Sequence, residues 1–233
     1  MTDLSRRSAE AELMDRPETS PEDYARALGD LARLNRMTMT HRPVLAWLEA
    51  ATRGWEAGRT LSVLDVASGQ GDLLRAIQRW GAKRGFAMHL VGLDLNPASA
   101  VQAQSATPAG AEIVWRTGDV FDDVPHPTPD FIVSSQFAHH LTDEEIAALM
   151  RWMDLHSTQG WLIVDLQRHW FPYYGFPLLA HLMEWHRIVR IDGTISIARS
   201  LRVAEWRALV AETRLAARVR WHLPFRISVG LLK

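Results

Sequence analysis

The sequence predicts an α/β protein: a mostly parallel sheet with helices on both faces, an antiparallel C-terminal hairpin and an N-terminal helical cap. Three observations carry this. Short apolar runs such as Leu61–Val66, His89–Asp94, Phe131–Ser134 and Trp161–Asp165 alternate with segments of helical period. Strands apolar on both faces belong to parallel sheets covered on two sides. A glycine-bearing turn joins the first run to the helix after it, and Ala217–Leu223 and Arg226–Leu232 alternate around Pro224 like a closing hairpin.

Taken in order, residues 1–20 are polar and aperiodic and read as a flexible tail. Ser20-Pro21-Glu22-Asp23 starts a helix with proline at its first position. Leu28, Leu31, Leu34 and Met37, then Val44, Leu45 and Leu48, continue at helical spacing, and Pro43 divides them into two helices that end at Gly54 and Gly58. Residues 21–58 thus form the cap, and residues 59–233 one larger domain. Within it Leu73–Trp80, Ala98–Gln104 and Asp143–Leu155 read as helices, Glu112–Trp115 as a further strand and Val203–Thr213 as the last helix. Residues 167–201 break the alternation: Trp170, Phe171, Tyr173, Tyr174, Phe176 and Trp185 crowd around Pro172, Gly175 and Pro177 like an insertion.

Composition excludes several classes. With 233 residues, 47% of them hydrophobic and 23% charged, the chain can bury a core and is neither disordered nor fibrous. A net charge of -1 provides no overall field toward nucleic acid. The absence of cysteine removes disulfides, thiol nucleophiles and Cys-type zinc sites and suits a reducing, cytoplasmic setting. No apolar run reaches the roughly 18 residues of a membrane span, and no signal-peptide core is present. The ten histidines show no metal-binding spacing, so no metal is expected.

The chemistry is concentrated at the carboxyl ends of the strands. Asp65-Val66-Ala67-Ser68-Gly69-Gln70-Gly71-Asp72 lies between strand and helix, where open parallel sheets bind ligands. Asp65 and Asp72 flank the loop and Leu74 stands where a dinucleotide fingerprint needs its third glycine, so a pyrophosphate is disfavoured and a cationic ligand suits the loop better. Asp94 ends the second strand, where a carboxylate can accept hydrogen bonds from ribose hydroxyls. Asp119, in Gly118-Asp119-Val120, follows the third strand and can reach an adenine amino group.

These motifs, over about residues 60–165, resemble the class I S-adenosylmethionine-dependent methyltransferases. Val63–Gly71 is similar to that family's first motif, with Ala67 in place of a glycine, and Phe131–Leu141 resembles the ubiquinone- and menaquinone-biosynthesis branch. The resemblance implies a Rossmann-like seven-stranded sheet and S-adenosylmethionine as cofactor, with S-adenosylhomocysteine as product. It further implies that Ala67, Gly69 and Gly71 approach the methionine part, Asp65 orients its ammonium group with Ser135 nearby, Asp94 holds the ribose and Asp119 the adenine between Leu95 and Val120. Arg42 could pair with the cofactor carboxylate.

Methyl transfer to a hydroxyl needs a group that takes its proton, and His139 and His140, after the fourth strand, are the candidates, with Asp165 on the same edge as an orienting group. Neighbouring residues point in different directions, so at least one of the two histidines is structural. The segment 167–201 is expected as an aromatic lid, with Arg168, His169, Trp170, Tyr173, Tyr174 and Phe176 binding a small aromatic or lipid-like acceptor; a homodimer contact is the alternative. Oxygen is the favoured acceptor atom, before carbon and nitrogen. Ten Lys/Arg against three acids from His186 to Lys233 leave an RNA methyltransferase as an alternative, and a non-catalytic cofactor-binding protein as another.

Overall fold

The computed structural model describes residues 3–16 and 18–233. Its single sheet has seven strands: β1 Thr60–Val66, β2 Ala87–Asp94, β3 Ile113–Thr117, β4 Phe131–Ser135, β5 Gly160–Leu166, β6 Arg218–His222 and β7 Arg226–Leu232. Their order is β3-β2-β1-β4-β5-β7-β6. β1 to β5 are mutually parallel, while β7 runs antiparallel to both β5 and β6. This is the Rossmann-like arrangement with the closing hairpin that the apolar runs imply. The order reverses at β1, so the ends of β1 and β4 frame the crevice where such sheets take ligands.

Successive side chains of a strand point to opposite faces, and here both faces are buried. Leu64, Val66, Ile132, Trp161 and Ile163 enter one core with α5 Asp143–His156 and α8 Val203–Thr213, whose Trp206 is fully buried. Leu61, Val63, Phe131, Val133, Leu162 and Val164 enter the other, with α2 Arg42–Ala51 and α3 Asp72–Lys83. Removing a side chain such as Trp206 or Leu74 from either core costs about 3–5 kcal/mol.

The caps explain several boundaries. The Ser20 side chain accepts from the Asp23 amide at the start of α1 Pro21–Met37, and Asn96 caps α4 Pro97–Ala106 in the same way. Thr142 and Glu145 form a capping box on α5. The expected cap 21–58 divides in function: α2 completes the core of the sheet, whereas α1 packs with the segment after β5.

That segment is more regular than its composition suggests. It forms two helices, α6 Trp170–Leu182 and α7 Arg187–Arg199. Pro172 falls in the first turn of α6, where an amide has no helical partner to lose, and Pro177 is accommodated inside the helix. At Gly193 an added Cβ would stand 2.0 Å from the Phe176 ring, which is how closely α6 and α7 pack. Ala27, Ala180, Trp185, Ile188 and Val189 join α1, α6 and α7 in a third core.

The expectation of a flexible tail is corrected for the described part of residues 1–20. Met1, Thr2 and Pro17 lie outside the described residues, but 3–16 run across α7. The Ser8 amide donates to Ala198, and Asp192 accepts from the amides of Leu13 and Met14. Arg7 donates to the Leu141 and Arg199 carbonyls and pairs with Asp143. The anchoring comes from polar contacts to distant residues, so no hydrophobic period marks it. Among the described residues no helix is long and apolar enough to cross a membrane.

Candidate active site

The carboxyl edge of the sheet, α1, α6, α7 and the N-terminal segment enclose one open cavity of about 1240 Å³. That exceeds the roughly 300–1,000 Å³ of an ordinary ligand site and can hold a cofactor and an acceptor together.

On one side stands the loop after β1. Ala67 and Gly69 turn the backbone through the left-handed region, at φ 58° and 51°. Gly71 is also left-handed, at 76°, and a Cβ there would lie 2.0 Å from the Trp115 ring. The Asp94 carboxylate accepts from the Gly69 amide at 2.8 Å and from the Asn96 amide at 3.0 Å, tying the end of β2 to the loop. Asp119 accepts from the Phe121 amide at 2.9 Å. Exposed Leu95 and buried Val120 flank the same end of the cavity. Two acids that accept hydrogen bonds, two apolar flanks and a small-residue loop suit an adenosyl group.

At the reacting end, a polar network ties α1 to the loops. Gln136 donates to Asn35 at 2.6 Å, Asn35 donates to Asp72 at 3.0 Å, and His41 Nε2 lies 2.9 Å from Asp72. Burial opposes ionisation of Asp72, yet its bonds to His41 and Asn35 hold its pKa below the usual value.

Beyond it lies a buried histidine, His139, held twice by Asp165. Its ring Nδ1 is 2.7 Å from one Asp165 oxygen and its amide donates to the other at 2.8 Å. Burial alone would raise the Asp165 pKa, but the nearby His139 charge and these hydrogen bonds lower it. An ionised carboxylate only accepts, so Nδ1 donates to it and Nε2 is the ring atom left for other partners. Nε2 faces Glu12, 3.5 Å away. His140 is similarly held by Asp15, with Nδ1 at 3.0 Å, and its Nε2 lies 3.8 Å from Glu12. Burial pushes the Glu12 pKa up to about 7. Glu12, His139 and His140 bring their polar atoms within 4.8 Å of one another, close enough to hold one hydroxyl or one ion.

Residues 63–160 match the family described as Methyltransferase domain. The chain thus carries a methyltransferase domain over these residues. The fold is similar to that of the plantazolicin methyltransferase BpumL, solved with S-adenosylhomocysteine, at 13% identity and a TM-score of 0.64 over 91% of this chain and 95% of that one. It is also similar to human N-acetylserotonin methyltransferase with S-adenosylmethionine, at 14% identity and 0.63 over 92% and 56%. A third likeness is to magnesium protoporphyrin IX methyltransferase from Synechocystis PCC 6803, at 15% identity and 0.54 over 84% and 83%. No curated protein matches the sequence.

Within the methyltransferase, the cavity is lined by Ala67, Gly69, Asp94, Leu95, Asp119, Val120, Ser135, His139, His140 and Phe176 of the residues expected in the site. The others stand elsewhere. Asp65 is buried in β1, and Gly71 shapes the loop from behind, against Trp115. Arg42 is exposed at the start of α2; its neighbour His41 is the residue that turns toward the site. Asp165 touches the cavity only through His139. Arg168 is buried and spends its guanidinium on the Leu4 and Ser200 carbonyls and on Glu205. His169 caps α6, Trp170 and Tyr174 face outward with Leu178 and Leu182, and Tyr173 packs edge-on against Tyr174. Trp185 belongs to the third core. The apolar wall of the cavity on this side is formed by Phe171, Phe176 and Leu179 of α6 with Ile188 and Val189 of α7.

The largest omission from the sequence-based site is Glu12 with Asp15. Their segment has no periodicity, and their partners lie more than a hundred residues away, so no local signal could place them. Asn35 and Gln136 were equally silent, being ordinary amides in helix and loop.

Proposed function

We propose that this methyltransferase transfers a methyl group to a hydroxyl of a small acceptor with an apolar, aromatic or lipid-like body, with His139 as general base. The observation that carries this reading is the 2.7 Å bond from His139 Nδ1 to Asp165, which engages one ring nitrogen of a cavity-lining histidine and leaves Nε2 for the acceptor. The cofactor, when bound, supplies an electrophilic methyl on a sulfonium.

Asp94 would accept from the ribose hydroxyls and Asp119 from the adenine amino group, with Leu95 and Val120 lining the same part of the cavity. Ala67, Gly69 and Ser135 line the methionine end. Phe171, Phe176, Leu179 and Val189 take the body of the acceptor and exclude water, and alignment of acceptor oxygen with methyl carbon accounts for several kcal/mol of the barrier. As the carbon–sulfur bond of the sulfonium broke and the carbon–oxygen bond formed, releasing the thioether, the acceptor's proton would pass to His139 Nε2 and Asp165 would stabilise the imidazolium. Such a base contributes about 10²–10⁴-fold. Glu12, opposite Nε2 and near its midpoint of titration at neutral pH, can pass the proton on.

The test is a panel of phenols, quinols, aliphatic alcohols and amines incubated with labelled S-adenosylmethionine. Label in ether products, lost in His139→Ala with S-adenosylhomocysteine affinity retained, supports the reading. Label only in carbon- or nitrogen-methylated products overturns it.

A further inference from the structure

Arg226, the first residue of β7, plays no part in the scheme above. It lines the cavity yet is only 6% exposed. Its Nη2 donates to the hydroxyls of Thr40 at 2.9 Å and Thr38 at 3.2 Å, and Nη1 reaches the Pro224 carbonyl at 3.4 Å. Nε is buried with no hydrogen-bond partner. Among the described residues no carboxylate pairs with this guanidinium; Asp165, the acid that acts on it from a distance, is committed to His139. Burial pulls the Arg226 pKa down to about 10, so the side chain stays charged at neutral pH.

A buried cation without a counter-ion is costly, and a guanidinium is shaped to receive a planar carboxylate. Position says whose. Arg226 stands level with Leu166, and in the order β1-β4-β5-β7 its strand is three places from β1. At about 4.8 Å per strand that is roughly 14 Å from the cofactor loop, on the side of His139 and the apolar wall. Thr38 gives its hydroxyl proton to the Leu34 carbonyl and shares a bond with Thr40, so the guanidinium alone would meet a ligand, which suits a singly charged group rather than a phosphate dianion.

We propose that Arg226 selects an acceptor that carries a carboxylate: the guanidinium takes the acid while α6 and α7 hold the apolar body. This rests on the reading that the cavity beside His139 is the acceptor site.

The test uses the full chain saturated with S-adenosylhomocysteine. Calorimetry compares 3-phenylpropanoate and decanoate with 3-phenylpropanamide and decanamide, in the wild type, Arg226→Gln and Arg226→Lys. The acids are expected to bind the wild type about tenfold tighter than the amides, with the preference lost in Arg226→Gln and partly kept in Arg226→Lys. S-adenosylhomocysteine and 5′-methylthioadenosine, which lacks the amino-acid part, are titrated separately. If Arg226 held the cofactor carboxylate instead, the advantage of the former over the latter would collapse in Arg226→Gln, and the proposal would fall. It would also fall if acids and amides bound equally, if no acid bound, or if the preference survived Arg226→Gln. Should Arg226→Gln not fold, loss of the preference in a folded Arg226→Met would support the proposal and its survival there would overturn it. Binding is read without turnover, so failure of His139 to transfer methyl to hydroxyls would leave this result standing.

Discussion

His139 and Asp165 are joined by two hydrogen bonds, one from the ring and one from the backbone amide, so that the carboxylate fixes both the tautomer of the imidazole and the turn that presents it. This pairing separates holding from reacting. Asp165→Asn preserves the shape but lets the amide donate to Nδ1, which would put the proton on Nε2. Methyl transfer is expected to fall by at least about 10²-fold, with S-adenosylhomocysteine affinity within a factor of two. A fall in affinity to match the fall in rate would show a merely structural acid.

Glu12 ties stability to pH. Its carboxyl ordinarily titrates near 4.5 but is raised to about 7 by burial. Between these values the folded protein retains a proton that the unfolded chain has given up, so stability falls as pH rises through this window. The full loss is on the order of 3 kcal/mol above about pH 7. Denaturant unfolding at pH 5 and pH 8 measures it: Glu12→Gln should lack this component, and an identical pH dependence in both proteins would contradict the assignment.

The cofactor loop makes two opposite predictions. Ala67 sits at φ 58° with a Cβ, so Ala67→Gly should relieve strain and stabilise the protein by about 0.5–1 kcal/mol after the entropy of glycine is subtracted. Gly71→Ala drives a Cβ into the Trp115 ring at 2.0 Å and should cost about 2 kcal/mol or more. Thermal unfolding with and without S-adenosylhomocysteine reads both, and a stabilising Gly71→Ala would refute the close approach.

Asp94 is expected to matter twice, because it holds the Gly69 amide and, in the proposed complex, would also accept from the ribose. Asp94→Ala should weaken S-adenosylhomocysteine by about 10²-fold or more, and Asp94→Asn by less, since an amide oxygen can still accept from Gly69. Equal losses would show that ribose binding alone is involved.

What the sequence made legible follows from where its signals are local. The strands were readable because both sheet faces are buried, so Val63-Leu64 and Phe131-Ile132-Val133 are apolar without interruption. The cofactor loop was readable because a turn that tight requires small residues in series. The helices α6 and α7 were not, because Pro172, Gly175 and Pro177 read as breakers while the packing of Phe176 against Gly193 overrides them. Which residues of this segment line the cavity was not legible: aromatic content alone does not show which face of α6 turns inward, and Trp170 and Tyr174 turn out. Glu12 was invisible, since its burial depends on Asp192 and Ser196, far along the chain.

The central claim is that His139 takes the acceptor's proton at Nε2. Its most direct test is single-turnover methyl transfer to a phenolic acceptor by the wild type and His139→Gln, both saturated with S-adenosylmethionine, over pH 6 to 10. The account predicts a rate at least about 10²-fold lower in the variant at neutral pH, with the gap narrowing as the phenol ionises by itself. Equal rates for the two proteins, or a gap that stays constant after the phenol has ionised, would contradict it.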